Sequence, residues 1–570
     1  MNDRFLALLS CLVLIAIQAR GNDILEQLSP ERPSNQEPRR QSSPSGQSGS
    51  EGSVEENAPL LESLKGIVIA TEKELASAVG VTAKVVVAGL RQSAAGPMAR
   101  LGEPRIGRPA TLHDLKTLQA AMEEWLHAHG SPLSDVYLPP QEISSGIVTY
   151  AVRERLVGQV TMKGTPAFGK EYILREFRPR PGQELNSRKV LEDLQWLNQN
   201  PFRRVDLLYT DGEKPELSKL QLQVNEQTPW RVYSGYNNYS NERTGDHRIF
   251  AGFQLGNLWN AEHQLYFQAL SSLDTSELGA LSASYVAPLP WRHLLEVSGV
   301  TSRSSINLPS ELELSGDTWR VAAKYRVPLP PAAQLRHEWN FGAEFQENSY
   351  DVQADDGRSR GGGTTIFNLR TGYELHHGDR LGATALEIDF TYSPGIFGAD
   401  DADYDIVRKG ARAEYWLVGF EAERHWWLPL DSSLYMKAAG QYADQPLLAT
   451  ERYSPTGGYE VRGYDENVLL ADSALRLTME WRSQGFRTPL GKLFETGRDR
   501  LQFIGFWDYA ILDNDTITAP GPLQSVGFGL RYQAGRNLTV KADLGFPLEE
   551  VATTRDEESA RLHLSMMASF

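Results

Sequence analysis

From residue 228 to its last residue, the chain is written in segments of about ten residues that alternate apolar with polar side chains, each closed by a turn signal. Sixteen such segments fall near 229–241, 246–258, 262–271, 279–287, 291–302, 316–326, 335–349, 364–374, 383–393, 411–425, 432–442, 471–482, 499–510, 523–534, 536–545 and 560–570. In the last, Leu562, Leu564, Met566, Ala568 and Phe570 share one face, and Arg561, His563, Ser565, Met567 and Ser569 share the other. One alternating strand also fits a soluble sheet with a single wet face. Sixteen in succession favour closure into a cylinder, because lipid offers nothing to satisfy an unpaired sheet edge. Such a barrel has a lipid-facing and a lumen-facing row, so its span disappears from averages; mean hydropathy here is −0.40. The net charge of −16, from 57 basic and 73 acidic residues, excludes a general nucleic-acid binder.

The connections carry a second signal. Barrels of this kind have short periplasmic turns and longer external loops. With the N-terminus in the periplasm, even-to-odd connections are expected to be short, as at 257–262, 288–290, 375–380 and 533–536. Odd-to-even connections are expected to be longer and polar, as at 350–363, 393–409, 442–470 and 547–559; the long stretch 483–498 is an exception. Trp259, Trp291, Trp426 and Trp427 fall near expected strand ends, as interfacial girdles require.

The first 21 residues read as a secretory signal peptide: Arg4, an apolar run from Phe5 to Ile17, and Ala19-Arg20-Gly21 as a cleavage site. The single cysteine, Cys11, lies within it. A lipoprotein reading of Leu8-Leu9-Ser10-Cys11 leaves a very short apolar segment. With cleavage after Gly21 the mature chain has no thiol, which excludes disulfides, cysteine zinc sites and cysteine nucleophiles. No later segment approaches 18 continuous apolar residues. Residues 22–57, rich in Ser, Pro, Gln, Glu and Gly, read as a disordered linker.

Residues 58–226 read as two small α+β units, 58–154 and 155–226. In the second, a strand at 158–163 precedes a short helix at 171–176, a helix capped by Ser187 with Val190, Leu191, Leu194 and Leu197 at helical spacing, and strands at 204–209 and 220–224. In the first, a helix at 115–127 carries Leu115, Leu118, Met122 and Trp125 on one face and precedes strands at 136–138 and 147–152. Its start is open between two candidate first strands, 66–70 and 84–88.

At Gly458-Tyr459-Glu460-Val461-Arg462-Gly463-Tyr464 the chain resembles the outer-membrane transporters of two-partner secretion, the hemolysin-activator family. The resemblance implies that Val461, Arg462, Gly463 and Tyr464 lie in a loop between strands eleven and twelve that folds back into the lumen. It further implies that Arg462 meets the acidic residue of a Phe-x-Asp motif on strand thirteen, matched here by Phe506 and Asp508. The reason is physical: holding a long loop inside a wide lumen costs entropy, and a desolvated Arg–carboxylate pair offsets it better than a surface pair. The resemblance extends to Tyr137-Leu138-Pro139-Pro140-Gln141-Glu142-Ile143 and Gly146 as the end of a first polypeptide-transport-associated (POTRA) domain. It continues through 201–225 as the end of a second, 235–252 as the first two strands, and 525–531 and 542–548 as strands fourteen and fifteen. Phe570 resembles the terminal aromatic read by the barrel-assembly machinery. Members often begin with a helix that plugs the pore; residues 22–57 offer only Asp23 to Leu28 before Pro30 and Pro33.

The expected fold is thus a membrane all-β barrel of 16 antiparallel strands over 227–570, preceded by two POTRA-like periplasmic domains. The implied function is export of a secreted partner polypeptide from periplasm to cell surface, with outer-membrane lipid and the barrel-assembly machinery as further partners. No enzyme activity, cofactor, metal or nucleic acid is implied. The alternatives are a protein-assembly or lipid-handling barrel of the same superfamily, and a passive porin, which has no need of POTRA-like units. Other motifs have blander readings. Asp400, Asp401, Asp403 and Asp405 lack the glycine and terminal glutamate of a calcium loop and read as a solvated external loop. His376 and His377 fall in an expected short turn, and Gly361-Gly362-Gly363, without the Lys-Ser/Thr of a phosphate loop, reads as a flexible loop tip.

Overall fold

The computed structural model describes residues 59–570 apart from 76–83, 165–168, 215, 241–244, 274–277, 309–311, 333, 355–358, 493–498, 514–520, 536 and 550–558. The signal-peptide, linker and plug readings on residues 1–57 lie outside the described residues. The chain divides at Gln227 into two compact units.

In the N-terminal unit, β1 (Pro59–Leu61) pairs with β4 (Ala110–Thr111). A four-stranded sheet has the order β3-β2-β6-β5, from β2 (Gly66–Thr71), β3 (Val85–Ala88), β5 (Ser134–Tyr137) and β6 (Ile147–Glu154). Both candidate first strands therefore form, as parallel neighbours. After β3 comes a helix the sequence reading missed, α1 (Gln92–Gly102), which holds Gly96, Gly102 and Pro97. Helix α2 (Leu112–Ala128) begins at a reciprocal cap: Asp114 N donates to Thr111 Oγ1 at 3.1 Å and Thr111 N donates to Asp114 Oδ2 at 3.1 Å. Its buried stripe of Leu115, Leu118, Met122 and Leu126 meets Ile67, Ile69, Val136, Val148 and Tyr150.

The second sheet has the order β7-β9-β8, from β7 (Leu156–Lys163), β8 (Arg203–Asp211) and β9 (Leu217–Glu226). Helices α3 (Lys170–Glu176) and α4 (Ser187–Leu197) bury Ile173, Val190 and Leu197 against Val205, Leu220 and Leu222. The cap of α4 is Asn186, whose side chain accepts from Lys189 N at 3.1 Å, and Ser187 is the first helical residue. Both residues are competent caps, and one position of slippage lies within the uncertainty of any helix end.

The C-terminal unit is a closed barrel of sixteen antiparallel strands. They are β10 (Trp230–Asn237), β11 (Arg248–Leu258), β12 (His263–Ser272), β13 (Leu278–Pro288), β14 (Leu294–Leu308), β15 (Leu312–Pro328), β16 (Leu335–Ala354) and β17 (Ser359–Gly378). Then follow β18 (Gly382–Pro394), β19 (Glu414–Trp427), β20 (Ser433–Ala443), β21 (Ser473–Arg482), β22 (Asp499–Asp513), β23 (Leu523–Ala534), β24 (Leu538–Pro547) and β25 (Arg561–Ser569). The ring closes where Tyr233–Asn237 pair with Ser565–Ser569, and Phe570 and Val232 exchange backbone bonds of 2.8 and 3.1 Å.

Burial is inverted relative to a water-soluble sheet. Leu281, Val297, Val321, Phe341, Ile388, Phe503 and Phe528 are exposed, while Gln254, Gln268, Glu338, Asn340, Glu344, Gln346 and Asp508 are buried. A continuous apolar exterior of this extent is stable in lipid and not in water. No described helix is long and apolar enough to cross a membrane.

Three sequence expectations change here. Of the expected loop 350–363, residues 350–354 and 359–363 are strand: β16 and β17 stay paired out to Gln353 and Ser359, and Gly361-Gly362-Gly363 lie opposite Asp351, Tyr350 and Ser349. Glycine weakens a strand but does not forbid one when the partner strand is in register. His376 and His377 close β17 and lie in no turn; His376 Nε2 is 2.7 Å from Glu374 Oε1. The four aspartates are exposed in the β18–β19 connection, as expected, but that connection contains a short helix, α5 (Asp401–Val407), on or beside which they lie. Asp400 caps it, accepting from Ala402 N and Asp403 N, while Asp401 accepts from Ala413 N and Asp405 from Gly410 N.

Candidate functional site in the barrel lumen

The connection between β20 and β21, residues 444–472, turns inward. Val461, Tyr464 and Ala471 of this loop are buried with Ala474, Ala510, Leu512 and Leu523 of the neighbouring wall. Alternation places Phe506 and Asp508 of β22 on the same inward face. Arg462, 4 % exposed, donates from Nε and Nη2 to the two Asp508 oxygens at 2.7 and 2.9 Å, and its backbone N–H donates to Oδ2 at 3.2 Å. Its guanidinium lies 3.6 Å from the Phe506 ring centre. The motif residues are therefore in direct contact: the carboxylate takes the fork, and the aromatic two residues earlier covers its face.

The arginine has further partners that the sequence reading missed. Its Nη1 donates to Glu480 Oε1 of β21 at 2.6 Å and sits 3.8 Å from Asp543 Oδ1 of β24. Arg482 in turn holds Glu480 at 2.7 Å, and Arg531 holds Asp543 at 2.7 Å. Three guanidinium groups thus face three carboxylates, which is what lets six charges sit away from bulk water. Gly463 has φ 97°. A Cβ there would lie 3.1 Å from the Gly545 backbone, and one on Gly545 would lie 2.6 Å from Gly463 N. Two glycines are needed for the loop to lie against β24. Gly463 N also donates to His563 Nε2 at 3.0 Å, and the Tyr464 hydroxyl lies 3.1 and 2.9 Å from the carbonyls of Gln524 and Glu549.

The rest of the loop is anchored elsewhere on the wall. Glu460 pairs with Arg476 at 2.7 Å, and Asp465 pairs with Arg561. Asp472 accepts a two-pronged contact from Arg408, just beyond α5, and accepts from Leu447 N at 3.0 Å. Glu451 lies against the opposite wall, where Asn368 Nδ2 donates to it at 3.2 Å. Arg320 and Arg370 there converge on Glu344 at 3.3 and 3.0 Å. Burial first, then the charge of Glu344, pushes the Glu451 carboxyl up to about 7. The available signal for these partners was charge at inward positions of the alternating strands. Alternation puts Arg561 and His563 on that face, but which inward charge meets which loop residue depends on the loop's path. Phe570, the expected assembly signal, is 75 % exposed while its backbone closes the ring. Among the described residues, no cluster of His, Cys, Asp and Glu could hold a metal.

Comparison with known proteins places this geometry. The model for the haemolysin secretion/activation protein family ShlB/FhaC/HecB matches residues 216–499, and that for the ShlB-type POTRA domain matches residues 81–154. The heme/hemopexin transporter protein HuxB of Haemophilus influenzae is 24 % identical over 487 residues, covering 83 % of this chain and 84 % of that protein. The outer membrane transporter CdiB of Dickeya dadantii is 21 % identical over 398 residues, covering 68 % and 69 %. Among solved structures, CdiB from Escherichia coli aligns with a TM-score of 0.69 at 17 % identity over 98 % of both chains. CdiB from Acinetobacter baumannii aligns at 0.63 and 16 % over the full length of both.

Proposed function

Because the chain belongs to the haemolysin secretion/activation protein family ShlB/FhaC/HecB, we propose that it exports a partner polypeptide through its barrel, from periplasm to cell surface, by two-partner secretion. The N-terminal units, 58–154 and 155–226, receive the unfolded client in the periplasm. Strand addition to their sheet edges gives affinity through main-chain bonds with little demand on sequence. The client then passes the lumen, and folding outside gives the movement its direction. The loop carrying Val461, Arg462, Gly463 and Tyr464 occupies the path, and its contact with Phe506 and Asp508 sets whether it is docked. The observation that carries this reading is that buried contact inside a closed barrel preceded by a POTRA-type unit. The barrel's exterior is matched to outer-membrane lipid, and Phe570 is the feature offered to the barrel-assembly machinery during insertion. The relatives named as transporters favour export over an assembly or lipid-handling role.

The test is deletion of residues 58–226. Barrel insertion, read from surface proteolysis and heat-modifiable migration, should persist while the client disappears from the medium and cell surface. Undiminished export by the shortened chain would contradict the reading.

A further inference from the structure

Strand β17 is paired with β16 from Ser359 to His377, but with β18 only from Leu369 to Gly378. Among the described strands, residues 359–368 thus have a neighbour on one side only. This stretch lies at the end of the barrel opposite the short turns 259–262, 289–293 and 379–381, which is the external end. From Thr365 onward the β18–β19 connection covers that side: the Thr365 carbonyl accepts from Ala399 N at 3.2 Å and from the Tyr404 hydroxyl at 3.4 Å, Phe397 meets Phe367 edge-on, and Ile366 is buried with Tyr404 and Val407. In an antiparallel ladder a residue's N–H and C=O point to the same side, and that side alternates along the strand. Gly361 and Gly363 therefore direct their backbone groups to the same free side as Thr365, while Gly362 and Thr364 bond to β16. Both outward glycines are exposed, and neither has a side chain to hold a neighbour off. Sheets ordinarily guard such an edge with charge, proline, a bulge or a covering loop; the covering loop begins at Thr365, and 361–363 carries no charge, proline or bulge.

We propose that the β17 edge from Gly361 to Gly363 is a docking strand for the exported polypeptide as it leaves the lumen. This rests on the export reading above. An emerging chain is extended and offers an unbroken series of backbone donors and acceptors, which are the groups this edge presents. The bond from Ala399 to Thr365 gives the direction in which this side of β17 takes a backbone donor, which Gly361 and Gly363 share by alternation. A segment added alongside β17 would become the first paired strand of the folding client and would be held from sliding back. Recognition through main-chain groups sets no requirement on the client's side chains.

The test uses the full chain in its host, with the client identified as the external protein that disappears when the chain is deleted. Gly361→Pro removes the outward donor and leaves the β16 bonds of Gly362 and Thr364 in place. Gly361→Ala introduces the same Cβ, 3.1 Å from the Tyr350 carbonyl, but keeps the donor, so the pair isolates the N–H. Export per folded barrel should fall at least fivefold for Gly361→Pro relative to Gly361→Ala. In a Gly361→Cys chain, the thiol should cross-link to a client carrying cysteines. Equal export by the proline and alanine variants overturns the proposal while leaving the export reading intact. Disulfide-linked homodimers of Gly361→Cys also overturn it, assigning the edge to a second copy. If deletion of the whole chain removes no protein from the exterior, the export reading fails first, and this proposal with it.

Discussion

Arg462 has two bonds to Asp508, one to Glu480 and a ring beneath it, so no neutral or shorter side chain replaces it. Removing one member of a buried pair typically costs about 3–5 kcal/mol, because the remaining carboxylates keep their desolvation without compensation. Arg462→Ala should therefore undock the loop: hydrogen exchange across 444–472 should rise, and export should fall more than barrel abundance. Arg462→Lys should rescue little, since an ammonium cannot make the fork. Unaltered exchange in the alanine variant would show that the pair does not hold the loop. Glu451 supplies a second residue-scale expectation. Its carboxyl is raised from the ordinary 4.5 to about 7, so the docked loop favours the protonated form. Docking should be firmest below about 4.5, weaken as pH rises towards 7, and level off above it. Loop protection should drop roughly tenfold or more between pH 5 and pH 8. Glu451→Gln should flatten that dependence, and a dependence that persists in this variant would assign it elsewhere. At this scale the sequence revealed the motif residues, because Arg462, Phe506 and Asp508 sit in recognisable strings. It did not reveal Glu480, Asp543 or Glu451, which converge only once sixteen strands are in register.

The sixteen strands were readable as elements because period-two alternation must continue for as long as one face meets lipid and the other a wet lumen. The errors fell where that constraint lapses. Beyond the membrane, β16 and β17 no longer need an apolar row, so Gly361-Gly362-Gly363 reads as a loop although register carries the hairpin on. Helix α1 was missed because two glycines and Pro97 disguise it, and its support comes from Ile67 and Val85 rather than its own propensity. The acidic run at 400–405 is solvated and lies in a connection, as expected, but within that connection two of its aspartates cap α5. Asp400 both accepts from Asp403 N and receives Asp403 in return at its own N–H. Asp400→Ala should destabilise this helix by about 1 kcal/mol. Because Tyr404 and Val407 pack with Leu447 and Leu448, the loss should appear as faster exchange at the base of the lumen loop as well as in α5. A change confined to residues 400–408 would show that the two loops are not coupled.

Across the whole molecule, the barrel's interior is arranged around charges that balance only while the loop is seated. Arg462, Arg482 and Arg531 face Glu480, Asp508 and Asp543. Withdraw the loop, and one cation leaves with it, while every carboxylate of the trio belongs to the wall. At other levels Arg561 loses Asp465 and Arg476 loses Glu460, so those levels of the lumen shift towards positive. An ion crossing the vacated conduit would therefore meet successive bands of opposite sign. Reconstituted in a planar bilayer under a salt gradient, the wild-type barrel and Asp508→Asn should differ in reversal potential only during their large-conductance events. The ionic preference of the pore thus becomes an electrical record of where the loop is at each moment.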